Sequence, residues 1–133
     1  MKEKGRLYVF EGLDGSGKTT LAHALADCLN SAGFECDYFA FPGREDGTLG
    51  KLVYELHHNS TELGIKSIKS TSLQLLHIAA HIDAIESRIL PVLNKGRYVI
   101  LDRFWWSTWV HGVVGGVNQR LLQVMINLEC VHW

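Results

Sequence analysis

Gly12-Leu13-Asp14-Gly15-Ser16-Gly17-Lys18-Thr19 limits what this chain can fold into more than any other feature. The run matches G-x-x-x-x-G-K-[ST] at every fixed position. Leu7-Tyr8-Val9-Phe10 precedes it and reads as a buried parallel strand. A helix follows, with Leu21, Leu25, Cys28 and Leu29 expected on its core face. A strand, a glycine-rich turn and a helix in that order bring backbone N–H groups close to phosphate oxygens. The helix N-terminus adds partial positive charge. Gly12, Asp14, Gly15, Ser16, Gly17, Lys18, Thr19 and Thr20 are therefore the candidate nucleotide-phosphate contacts. Lys18 offers a compact cation for the β- and γ-phosphates, and the Thr19 hydroxyl can ligate Mg²⁺.

The rest of the chain alternates between strand and helix patterns. Cys36 to Phe41 reads as a second strand broken by Pro42-Gly43. Leu49, Leu52, Val53 and Leu56 have helical spacing, from Thr48 to about His57. Residues 58–68 read as a surface loop. A long helix then begins near Ser70 or Thr71, with a core stripe of Leu75, Ile78, Ile82, Ile85, Ile89 and Val92. Pro91 should loosen its last turns, and Gly96 ends it. Tyr98-Val99-Ile100-Leu101 is a third buried strand, followed by a tryptophan-rich helix, a break at Gly115-Gly116, and a last helix from Asn118 to about Glu129. Alternation of this kind implies an α/β fold built from parallel βαβ units with right-handed crossovers.

Composition narrows the class. The 133 residues suit one domain spanning 1–133, and 47% hydrophobic with 20% charged residues suits a soluble globular chain. A net charge of −1 gives no electrostatic reason to expect nucleic acid or a membrane surface as partner. No secretory signal follows the basic start, and no run approaches the roughly 18 apolar residues of a membrane span. A cytoplasmic location is expected. Cys28, Cys36 and Cys130 fit no metal or redox spacing and read as reduced and structural.

Asp102, at the end of the third strand, has the form of the acid that lies beside Mg²⁺ and phosphates in sheets of this type. Arg44 follows the second strand and Arg103 the third, so both sit where strand ends converge on a ligand crevice. Their planar forks suit a second phosphate group.

Taken together, these residues resemble the thymidylate kinase family. Phe10-Glu11-Gly12 through Thr19-Thr20 is similar to its opening motif, and Phe41-Pro42-Gly43-Arg44 to its Phe-Pro-x-Arg acceptor loop. Ile89-Leu90-Pro91 through Asp102-Arg103-Phe104, with Ser107, resembles its long helix, third strand and Asp-Arg-Tyr signature. The resemblance implies a P-loop three-layer α/β/α fold, here reduced to three strands in the order 2-3-1, as the N-terminal portion without the family's lid and last strands. It implies ATP-dependent phosphorylation of a deoxynucleoside monophosphate, with Mg²⁺. Lys18, Asp102 and Arg103 would be catalytic, and Thr19 and Asp102 would serve the metal. Asp14, Phe41, Arg44, His77, His81 and Arg103 would contact the acceptor. Nucleotides would be the partners. The outer edge of the first strand would be unpaired, and a bare edge invites association with a second copy of the chain.

The departures fall on the base side. His77 and His81 stand where the family has an aromatic residue and an arginine, and His111-Gly112 replaces a Tyr-Gln-like pair. His77 and His81 also have metal-ligand spacing, but Ile78 stands where a zinc protease helix carries Glu. Trp105 and Trp109 share a helix face, suited to core packing or to stacking on a base. A non-catalytic nucleotide-binding remnant and a deoxynucleoside kinase are the competing readings.

Overall fold

Tyr98–Asp102 is the middle strand of a three-stranded parallel sheet. The computed structural model describes residues 4–133. In chain order the elements are β1 (Leu7–Phe10), α1 (Lys18–Ser31), β2 (Cys36–Ala40), α2 (Leu49–His58), α3 (Ser70–Ala84), a π-helical stretch over Ile85–Ile89, α4 (Leu90–Leu93), β3 (Tyr98–Asp102), α5 (Trp105–Val114) and α6 (Gln119–Cys130). They form two compact units. One runs to Phe41 and resumes over Ile85–Phe104, and the other comprises Pro42–Ala84 and Trp105–Trp133.

The first unit holds the sheet, in the order β1-β3-β2, as the resemblance implied. β3 pairs in parallel with both neighbours, and Phe10, Asp102 and Ala40 lie level in the register. Val99, Ile100 and Leu101 are fully buried, as expected of a central strand covered on both faces. β1 is less buried than its apolar sequence suggests: Tyr8 and Val9 are each more than a third exposed. The strand has a hydrogen-bonded neighbour on one side only among the described residues.

α1 packs through Ala22 and Ala26 against Cys36 and Ile100, with Leu25 and Leu29 flanking. The expected stripe is therefore rotated. Leu21 is 59% exposed and Cys28 is exposed. Small alanines let the helix backbone lie close to the sheet, which turns the bulkier Leu21 outward. Asn30 secures the return to β2, because its Oδ1 accepts from the Cys36 N–H and its Nδ2 donates to the Ala26 and Cys36 carbonyls. Pro91 acts as expected: it carries no N–H, and the chain widens into the π stretch before α4 resumes with Pro91 in its first turn.

In the second unit Thr48 caps α2, its hydroxyl accepting from the Lys51 N–H at 3.2 Å. Gly50 lets α2 approach the preceding turn, since a side chain there would meet the Gly43 carbonyl oxygen at 2.7 Å. Asn118 caps α6 by accepting from the Arg120 and Leu121 N–H groups. Ile78, Met125 and Ile126 form a core into which Ile82, Trp105, Trp109 and Cys130 pack. Leu75, expected in the stripe, is 47% exposed, while Gln74 and Ala80 are buried instead.

Two polar contacts lie inside this unit. His81 Nδ1 meets Glu129 Oε2 at 2.7 Å, with both side chains buried. Glu129 Oε1 has no hydrogen-bond partner among the described residues. His57 Nδ1 lies 2.9 Å from His77 Nε2 where α2 meets α3. Burial, then the neighbouring His81, His57, His111 and His58, push the His77 imidazole down to about 3.

Replacing Glu129→Ala should destabilise the chain by about 3 kcal/mol or more, because it strips a buried partner from His81. Glu129→Gln keeps an acceptor oxygen and should cost less. Urea denaturation measures both, and a stable Glu129→Ala would contradict this account. The His77 shift has its own consequence. An unfolded histidine takes up a proton near pH 6.5, whereas the folded His77 refuses one until about pH 3. Stability is therefore present above pH 6.5 and lost as pH falls, by at most about 1.4 kcal/mol per pH unit from this group. His77→Asn should flatten the fall in melting temperature between about pH 7 and about pH 5 relative to the parent. Parallel profiles would show that His77 does not contribute.

Candidate phosphate-binding and metal site

At the carboxyl end of the sheet, the chain leaves β1 and turns through Gly12–Gly17 into α1. Gly17 is the N-cap of α1 and has a left-handed backbone, φ 89°, while Gly15 has φ 76°. A side chain at Gly17 would be strained there. With no side-chain cap and no acidic residue in its first turn, α1 leaves its leading N–H groups and its positive dipole end for an anion. Gly15, Gly17, Lys18, Thr19 and Thr20 line an open depression of about 300 Å³ here. Lys18 is largely covered, and its Nζ lies 3.8 Å from Asp14 Oδ1. Of the residues expected to cradle phosphate, Gly15, Gly17, Lys18, Thr19 and Thr20 are thus brought together, while Asp14 lies against Lys18, and Gly12 and Ser16 build the turn. Ser16 donates its N–H to the Leu13 carbonyl, and the Ser16 hydroxyl leaves no room for a side chain at Gly12.

Asp102 meets this loop from the end of β3. The Thr19 hydroxyl donates to Asp102 Oδ2 at 2.5 Å, across 83 positions of sequence. Asp102 is buried. Tyr38, on β2, donates its hydroxyl to the same oxygen at 3.0 Å. Burial, then the hydrogen bond to Asp102, push the Tyr38 phenol up to about 12, so it stays a donor at neutral pH.

A hydroxyl and one carboxylate beside a phosphate cradle are hard oxygen donors of the kind Mg²⁺ takes. Mg²⁺ keeps several waters and takes phosphate oxygens, so it does not need a cage of protein ligands. No group of three or more His, Cys, Asp or Glu suited to a metal occurs among the described residues. The donors present fit Mg²⁺.

Arg103 follows β3 with φ 79°, the left-handed backbone that non-glycine residues rarely adopt. Its N–H donates to the Phe10 carbonyl at 2.9 Å, and its guanidinium meets the Asp14 carboxylate and the Gly12 carbonyl oxygen. The Phe104 N–H then donates to Glu11 Oε1 at 2.6 Å. The exit from β3 is thereby tied to the phosphate loop at two successive residues. Phe41 is buried at the end of β2, its ring 6.0 Å from that of Phe104.

The other expected site residues lie in the second unit. Arg44 is exposed and stacks its guanidinium on the Tyr54 ring, 4.2 Å from the centroid. His77 packs against His57, and His81 is interior beside Glu129. Trp105 and Trp109 join the core, and Trp105 also stacks on Trp106. All three cysteines are free. Among the described residues no helix is long and apolar enough to cross a membrane.

Sequence reasoning missed Tyr38 and Glu11. Tyr38 reads as one more apolar residue of a strand until the register with β3 is known. Ala40 pairs with Asp102, so Tyr38, two residues earlier, shares its face. Glu11 was legible only as part of the opening motif.

The family model described as thymidylate kinase matches residues 10–126. A probable thymidylate kinase of Pyrococcus horikoshii is 33% identical over 122 residues, covering 91% of this chain and 58% of that protein. A thymidylate kinase of Protochlamydia amoebophila is 36% identical, covering 98% of this chain and 57% of that protein. The chain therefore spans a little over half the length of these curated relatives. The crystal structure of thymidylate kinase from Ehrlichia chaffeensis matches with a TM-score of 0.72 and 30% identity, covering 95% of this chain and 69% of that one. With its motif, its strand order and its sequence in agreement, the chain belongs to the thymidylate kinase family.

Proposed function

We propose that the chain takes part in ATP-dependent phosphorylation of a deoxynucleoside monophosphate, dTMP or a close relative, to the diphosphate, as a cytoplasmic enzyme. The observation that carries this reading is the 2.5 Å hydrogen bond between Thr19 and Asp102 beside the cradle of Gly15–Thr20. A phosphate loop alone binds many nucleotides, but its union with an acid at the adjacent strand end is what Mg²⁺-dependent phosphoryl transfer requires.

The proposed roles follow from chemistry. The N–H groups at the start of α1 and the Lys18 ammonium hold ATP phosphates and neutralise charge that builds as the γ-phosphoryl group moves. Mg²⁺ held through Thr19 and Asp102 supplies further charge neutralisation when bound. An oxygen of the acceptor phosphate attacks the γ-phosphorus, the bond to the bridging oxygen breaks, and ADP leaves. No covalent enzyme intermediate is needed, so positioning carries the catalysis. Arg103 grips the acceptor phosphate, which would replace its present partner Asp14 with another anion. Asp14 is thereby released towards the acceptor sugar. The family resemblance gives Arg44 a phosphate-binding role as well, puts Phe41 in the acceptor loop, and sets His77 and His81 at the family's base-contact positions. A homodimer belongs to the same proposal, because β1 leaves one edge unpaired among the described residues.

Incubation with ATP and either dTMP or thymidine tests the reading. ADP should appear with the monophosphate and not with the nucleoside. Lys18→Ala should weaken ATP binding by about 2–4 kcal/mol, the range for truncating a charged hydrogen-bonding group. Calorimetric titration that finds equal affinities for parent and variant would overturn the assignment.

A further inference from the structure

We propose that Tyr38 is a positioning residue for Asp102, its hydroxyl holding the carboxylate in the orientation on which Mg²⁺-dependent nucleotide binding relies. This rests on the reading of Thr19 and Asp102 as the Mg²⁺ side of a nucleotide site. Asp102 Oδ2 takes two donors, Thr19 Oγ1 at 2.5 Å from α1 and Tyr38 Oη at 3.0 Å from β2. Two hydrogen bonds from different elements fix the rotation of a carboxylate that one would leave free to swing. Both use the same oxygen, and no hydrogen bond to Oδ1 is made among the described residues.

The phenol is itself held in place. Its ring packs against the cluster of Ala22, Ala26, Cys36 and Ile100, and lies 3.9 Å from the His23 ring. Phenylalanine would fill that space equally well, so packing does not explain the hydroxyl. The Thr19 hydroxyl has one proton and two lone pairs, so it can donate to Asp102 and accept a cation at once. Its geometry must nonetheless adjust to the ion. Tyr38 is anchored in the sheet and does not line the depression, so its bond to Asp102 can stay the same with and without nucleotide.

Two effects of the hydroxyl oppose each other. A hydrogen bond draws charge from the carboxylate and by itself weakens attraction for a cation. Orientation acts the other way, and loss of such an outer partner commonly costs about 10–100-fold in metal affinity, more than the change in charge returns. Orientation should therefore dominate.

Tyr38→Phe removes the hydroxyl and keeps the ring. The experiment titrates ADP into parent and variant by calorimetry, first in EDTA and then across Mg²⁺ concentrations, with melting temperatures recorded in EDTA. We expect affinities in EDTA to agree within about twofold, and the variant to need about tenfold more Mg²⁺ for half of the tightening. An unchanged or lower Mg²⁺ requirement would overturn the proposal while leaving the functional reading intact. Weakening of equal size with and without Mg²⁺, or a large loss of melting temperature, would also overturn it, because the hydroxyl would then be structural. A parent chain whose ADP binding ignores Mg²⁺ would contradict the functional reading itself, and the proposal with it.

Discussion

The parallel pairing of β3 with both β1 and β2 decides where this molecule can do chemistry. Because Phe10, Ala40 and Asp102 lie level, all three strands end at one edge of the sheet. Whatever the chain places just after those residues is gathered there. After Phe10 comes the phosphate loop and the first turn of α1. Immediately before Arg103 comes the buried carboxylate of Asp102. Thr19 and Asp102 meet only because the sheet places β3 between its neighbours. The fully buried Val99, Ile100 and Leu101 secure that position, since apolar residues covered on both faces are stable only in the interior of a sheet.

A backbone conformation with a cost lies at the same edge, at Arg103. Gly15, Gly17 and Arg103 all have positive φ. For Arg103 this costs of order 1–3 kcal/mol unless surrounding contacts compensate. Its N–H bond to Phe10, its guanidinium contacts and the next residue's bond to Glu11 supply that compensation. The helix starts differ in the same sense. Thr48 and Asn118 satisfy the leading amides of α2 and α6 from within the protein. α1 has no such side chain, and an uncapped helix start facing an open depression is suited to an external anion. Local stability has been given up where a ligand can restore it.

Much of this was legible in the sequence, because the signals were strong and local. The strand ends, the glycine turn, the start of the last helix near Asn118 and the loosening before Pro91 each follow from residue chemistry within a few positions. What was not legible depended on tertiary placement. Leu21 and Leu75 have helical spacing suited to a core, yet both face outward, because Ala22 and Gln74 occupy the closer approach. Periodicity gives a stripe but not its rotation to within one residue. Tyr38 and Glu129 were invisible for a related reason. Each is polar at its tip, and each finds its partner, Asp102 or His81, across a long stretch of chain. Family resemblance named His77 and His81 but could not say that one lies against His57 and the other in the interior.

The central claim is that Asp102 and the phosphate loop form one Mg²⁺-nucleotide site. Mn²⁺ can replace Mg²⁺ and, being paramagnetic, speeds the relaxation of nearby phosphorus nuclei. The direct measurement is the ³¹P relaxation of ADP bound to the chain with Mn²⁺, compared with Asp102→Asn at matched ADP occupancy. The account predicts strong relaxation of the β-phosphate in the parent and a large loss in the variant, which keeps shape and loses charge. Equal relaxation in both would place the ion away from Asp102 and contradict the account.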